Sequence, residues 1–189
     1  MIRIVCKGRV KPFLLKFKEE AAVRILGLSG SLRSDSSNSR LLALAHKIVG
    51  AEWSFFDLAS LPYFDPDHQY SEQTPKPVQA LRALAAQADR IFICTPEYAH
   101  GIPGILKNAL EWMFHEGTQK TRVACVVGSS QGENTREQLL EILRTMDFEV
   151  EADDIILMKG LRAKLLADGT FKATVDADVF RKFCQHILK

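Results

Sequence analysis

Cysteine is sparse in this chain of 189 residues: the four are Cys6, Cys94, Cys125 and Cys184, and no two form a C-x-x-C pair. That spacing excludes a paired-thiol redox motif, and Cys94 and Cys125 stand inside apolar runs where buried free thiols are expected. Free thiols suit a reducing cytoplasm. The five histidines, His46, His68, His100, His115 and His186, form no H-x-x-x-H or H-E-x-x-H arrangement, so no metal site is expected. No apolar run reaches the roughly 18 residues that span a bilayer, and none is expected to do so. Charge of one sign is also missing. With 25 basic and 23 acidic residues the net charge is +2, which gives no footprint for nucleic acid.

What is present is the composition of a folded soluble domain, 47% hydrophobic and 25% charged, at a length that suits one core. The even charge balance hides a local excess. Residues 1–24 hold Arg3, Lys7, Arg9, Lys11, Lys16, Lys18 and Arg24 against Glu19 and Glu20, a net of +5 that leaves −3 for the rest. Basic side chains interrupt Phe13, Leu14, Leu15 and Phe17, so the segment lacks the apolar stretch of a secretory signal. Residues 1–22 are therefore expected to be a flexible basic extension and 23–189 the folded domain.

Beyond that extension, short apolar runs alternate with segments of helical period, the pattern of repeated βα units on a parallel sheet. Strands are expected at Val23–Leu28, Trp53–Asp57, Arg90–Thr95, Arg122–Gly128 and Ile155–Met158. The first, third and fourth are almost continuously apolar, as strands covered on both faces are. Helices are expected over 38–49, 76–88, from Pro103 through Met113, over 134–146 and over 176–188, with Pro103 in a first turn and Asp176 near an N-terminus. This is an α/β fold of three layers, α/β/α, with five parallel strands in the order 2-1-3-4-5. Ligands bind such sheets at the carboxyl ends of the strands, where neighbouring crossovers diverge.

Two distinctive loops flank that point. Gly30-Ser31-Leu32-Arg33-Ser34-Asp35-Ser36-Ser37-Asn38 combines hydroxyl donors, an amide, a guanidinium and a helix start, which together suit an anion such as phosphate. An ordinary capped turn would use some of the same residues. The run is neither G-x-G-x-x-G nor a P-loop. Pro96-Glu97-Tyr98-Ala99-His100-Gly101-Ile102-Pro103-Gly104 is stiffened by two prolines and carries an aromatic side chain, a rim on which a planar ligand could rest. Glu97 and His100 could suggest an acid/base pair, but no nucleophile accompanies them. Leu106, Leu110, Trp112 and Met113 read as core or as a subunit contact.

The ordered pair Gly30-Ser31-Leu32-Arg33-x-x-Ser36-x-Asn38 and Pro96-Glu97-Tyr98…Pro103-Gly104-x-Leu106-Lys107-Asn108-Ala109-x-x-Trp112 resembles the NAD(P)H-dependent FMN reductases. These are flavodoxin-like proteins that include chromate, quinone and azo-dye reductases. Leu61-Pro62-Tyr63-Phe64-Asp65 resembles the family's segment after strand two. The resemblance implies that Ser31, Leu32, Arg33, Ser36 and Asn38 bind FMN around its phosphate and that Pro96, Glu97, Tyr98 and Ser129 line the isoalloxazine. It implies NADPH or NADH as co-substrate and a small acceptor: a quinone, an azo compound, a metal oxyanion or free flavin. It further implies a homodimer or homotetramer, with Trp112, Met113 and Phe114 as candidate contacts. Ala99, where the family often has Asn, and Ser129-Ser130-Gln131-Gly132, where it often has Gly-Gly, depart from the pattern. No side chain is expected to act as acid, base or nucleophile, because bound flavin carries the redox chemistry. The alternative is a non-catalytic electron carrier of flavodoxin type or an FMN-binding module.

Overall fold

The computed structural model describes residues 22–115, 118 and 121–188. The expected flexible extension at 1–22 falls, but for Ala22, outside the described residues. Five strands form one sheet: β1 (Arg24–Ser29), β2 (Glu52–Phe56), β3 (Arg90–Thr95), β4 (Arg122–Val127) and β5 (Ile155–Leu157). Every neighbouring pair is parallel and the order is β2-β1-β3-β4-β5, as expected.

Alternation along the strands explains the three layers. On one face Leu26, Leu28, Ile91, Ile93, Val123, Cys125 and Val127 pack against α2 (Lys76–Gln87), α3 (Gly104–Met113) and α4 (Glu133–Thr145). On the other, Ile25, Phe92, Cys94, Ala124 and Val126 meet α1 (Ser37–Ile48), the short α5 (Leu161–Lys164) and α6 (Thr174–His186). A period of two on strands buried from both sides leaves no polar face, hence the continuous apolar runs. Each fully buried side chain such as Leu81, Ile93 or Phe180 contributes roughly 1.5–3 kcal/mol. Burial also pushes the Cys94 and Cys125 thiols up and Cys184 up to about 12, so these buried groups stay protonated.

The helices differ from expectation at three points. Pro103 precedes α3 at its N-cap rather than entering the first turn. The α6 helix starts at Thr174, two residues early, which places Asp176 inside its first turn. The four-residue α5 was not expected, because four residues show no period.

Of the two readings of Trp112 and Met113, core or subunit contact, the structure gives core. Both side chains are 0% exposed inside the protein's own core, and Phe114 is half-buried. The long connection after β2 folds over α3 and covers them. Trp112 Nε1 and Asn108 Nδ2 both donate to the Pro62 carbonyl at 2.9 Å, and the Phe64 N–H donates to Asn108 Oδ1 at 2.7 Å. Phe64 meets the Trp112 ring edge-on at 5.0 Å. Arg82 adds a strut from α2, donating to the carbonyls of Trp112 and Gln69, each at 2.7 Å.

At the opposite end of the sheet Asp154, 1% exposed, ties three elements together. Its Oδ1 accepts from Arg122 at 3.1 Å and lies 3.1 Å from His186 Nε2, while Oδ2 accepts the Glu151 N–H at 2.9 Å. Removing one partner of a buried pair strands the other. Asp154→Ala is expected to lower unfolding stability by about 3 kcal/mol, measured by urea denaturation; a loss below about 1 kcal/mol would show the tie to be dispensable.

Candidate functional site

The carboxyl ends of β1, β3, β4 and β5 open on one edge, and the loops leaving them enclose a cavity of about 430 Å³. That volume lies within the range of small-molecule sites.

The first wall is the β1–α1 loop. Gly30 donates to the Cys94 carbonyl at 2.8 Å, and a Cβ at Gly30 would stand 2.3 Å from Thr95 Oγ1. Only glycine lets this loop lie so close to the end of β3. The chain then reaches Ser36, the N-cap of α1, whose Oγ accepts the Ser39 N–H at 3.3 Å. The cap leaves the first-turn N–H groups of Ser37 and Asn38 without helical acceptors, and α1 has no acid in its first turn. The positive end of the helix therefore faces the cavity uncompensated. Ser31 Oγ accepts the Arg33 N–H at 3.4 Å, and the Arg33 guanidinium has no protein partner among the described residues. Asn38 is 3% exposed, yet its side chain makes no hydrogen bond and its Oδ1 is buried unpaired. Oδ1 is an acceptor in want of a donor, while Nδ2 is free to donate to an anion.

The second wall is the β3–α3 loop. Tyr98 and Gly101 exchange two backbone hydrogen bonds of 3.0 Å around Ala99 (φ 50°) and His100 (φ 60°). Two successive left-handed residues make a tight reversal that favours glycine or asparagine, and here neither is present. Helix α4 holds the loop in place. Thr135 Oγ1 donates to Glu97 Oε2 at 2.9 Å, Ser129 Oγ is 3.5 Å from Oε1, and the Ile102 N–H donates to Gln138 Oε1 at 2.8 Å. His100 is exposed, with Nδ1 4.0 Å from Glu97 Oε1. Glu97 is thus a strut between two loops, and its partner in that role is Thr135 rather than His100.

The third wall comes from β4 and β5. The Gly128 N–H donates to Thr95 O at 2.9 Å, and the Gly160 N–H to Ser129 O at 2.7 Å. A Cβ on Gly128 would come within 2.6 Å of Asn38 Oδ1 and 2.3 Å of Leu161 Cδ2. Glycine there allows α1, β4 and the β5–α5 loop to meet.

The structure brings Ser31, Arg33, Ser36 and Asn38 together on one side of the cavity, with Pro96, Glu97, Tyr98 and Ser129 on the other. Leu32 points elsewhere: it lines adjoining hollows with Tyr98, Tyr63, Pro62 and Ile105, of about 390 and 560 Å³. The strip Gly160–Ala163, with Arg162, lines the main cavity and was not anticipated. The signal available was a glycine just after the fifth strand, on the edge where ligands bind. Among the described residues no group of three His, Cys, Asp or Glu side chains could hold a metal. None of their helices is long and apolar enough to cross a membrane.

A helix N-terminus, hydroxyls and an unpaired guanidinium thus line one side of the cavity, beside the loop of Pro96, Glu97 and Tyr98. The model for the family described as NADPH-dependent FMN reductase matches residues 23–158, and the chain belongs to that family. A 2-hydroxy-1,4-benzoquinone reductase of a Burkholderia species is 34% identical over 116 residues, 59% of this chain and 62% of that protein. A quinone reductase of Escherichia coli K12 is 37% identical over 94 residues, 48% of this chain and 50% of that protein. The matches therefore span from half to about three fifths of those relatives. Among solved structures, the flavoenzyme NAD(P)H:(acceptor) oxidoreductase FerB of Paracoccus denitrificans superposes with a TM-score of 0.71 at 20% identity, over 87% of this chain and 94% of that one. That likeness is one of fold.

The strained reversal is open to a direct check. Ala99→Asn places a residue tolerant of φ near 50° there and is expected to stabilise the protein by about 0.5–1 kcal/mol. A thermal melt that is unchanged or lower would show that Ala99 carries no strain.

Proposed function

We propose that the chain binds FMN and acts as an NAD(P)H-dependent oxidoreductase that reduces a small acceptor. The observation that carries this reading is the set of donors without acceptors that line one cavity at the start of α1: the first-turn N–H groups, the Asn38 side-chain Nδ2 and the Arg33 guanidinium. A phosphate supplies the acceptors that these groups lack.

In this reading Ser31, Arg33, Ser36 and Asn38 hold the phosphate of FMN. Arg33 offers a planar fork of donors suited to phosphate oxygens, and the first-turn N–H groups of α1 add backbone donors. Pro96 and Tyr98 form the rim for the ring system. Glu97, restrained by Thr135, keeps that rim in register with the loop of Ser129. FMN held there would supply the hydride and electron transfer between a reduced nicotinamide and the acceptor, so the residues of the site would need only to bind and orient it, with no acid, base or nucleophile of their own.

The hollows beside the cavity bear on the acceptor. Leu32, Ala59, Leu61, Pro62, Tyr63, Ile105 and Asn108 line the larger without a charged side chain, and Tyr63 is 94% exposed at its edge. Such a surface suits a flat, largely apolar acceptor of quinone type better than a metal oxyanion. Free buried thiols at Cys94, Cys125 and Cys184 accord with a reducing cytoplasm. A homodimer or homotetramer belongs to the same reading, with Phe114 the one expected contact residue not buried in the core.

Incubating the purified protein with FMN and desalting it is expected to leave a yellow holoprotein that oxidises NADH or NADPH when a quinone is supplied. A colourless protein that gains no visible absorbance would overturn the proposal. Arg33→Ala is expected to weaken FMN affinity at least about tenfold without altering the fold, measured by fluorescence titration and circular dichroism. Unchanged affinity would remove Arg33 from the phosphate site.

A further inference from the structure

Arg162 is the second residue of the short α5, which is anchored, together with the loop before it, at several points. Met158 donates its N–H to Val127 O at 2.9 Å, Gly160 to Ser129 O at 2.7 Å, and Ala163 to Gly160 O at 2.9 Å. Leu161 is 1% exposed and packs where a Cβ on Gly128 would fall. The segment from Met158 to Ala163 is thus a fixed part of the cavity wall.

The basic residues of the β5–α5 loop and α5 divide into two kinds. Lys159 pairs with Glu133, and Lys164 donates to Asp176 Oδ1 at 2.7 Å, both away from the cavity. Arg162, between them, makes no ion pair or hydrogen bond with any described residue, and it lines the cavity. The two acids that also line the cavity are engaged elsewhere: Asp35 lies 3.6 Å from Arg40, and Glu97 is held by Thr135. Two arginines, Arg33 and Arg162, therefore line one cavity with no carboxylate bonded to either among the described residues. A terminal phosphate monoester, which carries about −1.5 to −2 at pH 7 and three acceptor oxygens, can engage both.

We propose that Arg162 is a second phosphate-binding residue, which closes the cavity from the β5 side so that the monoester is held between Arg33 and Arg162 over the N-terminus of α1. This rests on the reading of the cavity as an FMN site and adds to it a source of selectivity. The clamp favours FMN over riboflavin, which has the same ring and no phosphate. Arg162 is a binding residue and takes no part in the redox chemistry.

The test compares FMN and riboflavin binding to the apoprotein by flavin fluorescence, for the wild type and for Arg162→Ala, Arg162→Lys and Arg33→Ala, with thermal melts of each protein alone. Arg162→Ala is expected to raise the Kd for FMN about ten- to hundredfold and to leave that for riboflavin within twofold. Arg162→Lys restores the charge without the planar fork and should recover part of the loss. If Arg162→Ala keeps wild-type FMN affinity while Arg33→Ala loses it, the clamp is refuted and the FMN site stands. Equal losses for FMN and riboflavin would also refute it, by placing Arg162 away from the phosphate. A wild-type protein that does not bind FMN would overturn the clamp and the FMN reading together.

Discussion

The N-terminus of α1 governs the site because the helix begins with donors that the protein does not use. Ser36 caps the helix by accepting from Ser39, and the N–H groups of Ser37 and Asn38 remain free at the positive end of a 12-residue helix. This arrangement depends on Gly30, whose lack of a side chain lets β1 turn directly against Thr95, and on Gly128, which leaves room for Asn38. The sheet beneath is parallel throughout, so the loops from β3, β4 and β5 converge on the same edge. One helix terminus thus becomes the floor of a cavity with walls from four strands.

Those walls are joined to one another as well as to the sheet. Glu97 links the loop after β3 to Thr135 on α4, Gln138 receives the Ile102 N–H, and Ser129 accepts from Gly160 on the loop after β5. Loops without such ties would move independently and could not keep the donors at the start of α1 and the Pro96–Tyr98 loop at a fixed separation. The folded core supplies the rest. Trp112, fully buried and bonded to Pro62, fixes the long connection after β2, which brings Tyr63 to the edge of the apolar hollow.

Much of this was legible in the sequence because it depends on local pattern. Ile91-Phe92-Ile93-Cys94 has to be a strand buried on both faces, and the loop from Gly30 to Asn38 displays its hydroxyls, guanidinium and amide in one short run. The strand order and eight of the nine expected cavity residues follow from such features together with the family resemblance. What escaped depends on packing between distant segments. Arg162 has no motif around it and gains its place only because Gly160 bonds to Ser129, 31 positions earlier. Trp112 reads in sequence as core or as a subunit contact, since an apolar helical stripe does not reveal whether a partner or the protein's own loop covers it. Leu32 sits within the anion loop in sequence, while its side chain faces the apolar hollow.

The central claim is that the α1 N-terminus is a phosphate site, and a crystal structure of the protein grown with FMN tests it most directly. The prediction is a phosphorus atom over the first turn of α1, with phosphate oxygens accepting from the Asn38 Nδ2 and the Arg33 guanidinium. Density for FMN in which the phosphate lies away from α1, with Asn38 still unpartnered, would contradict it.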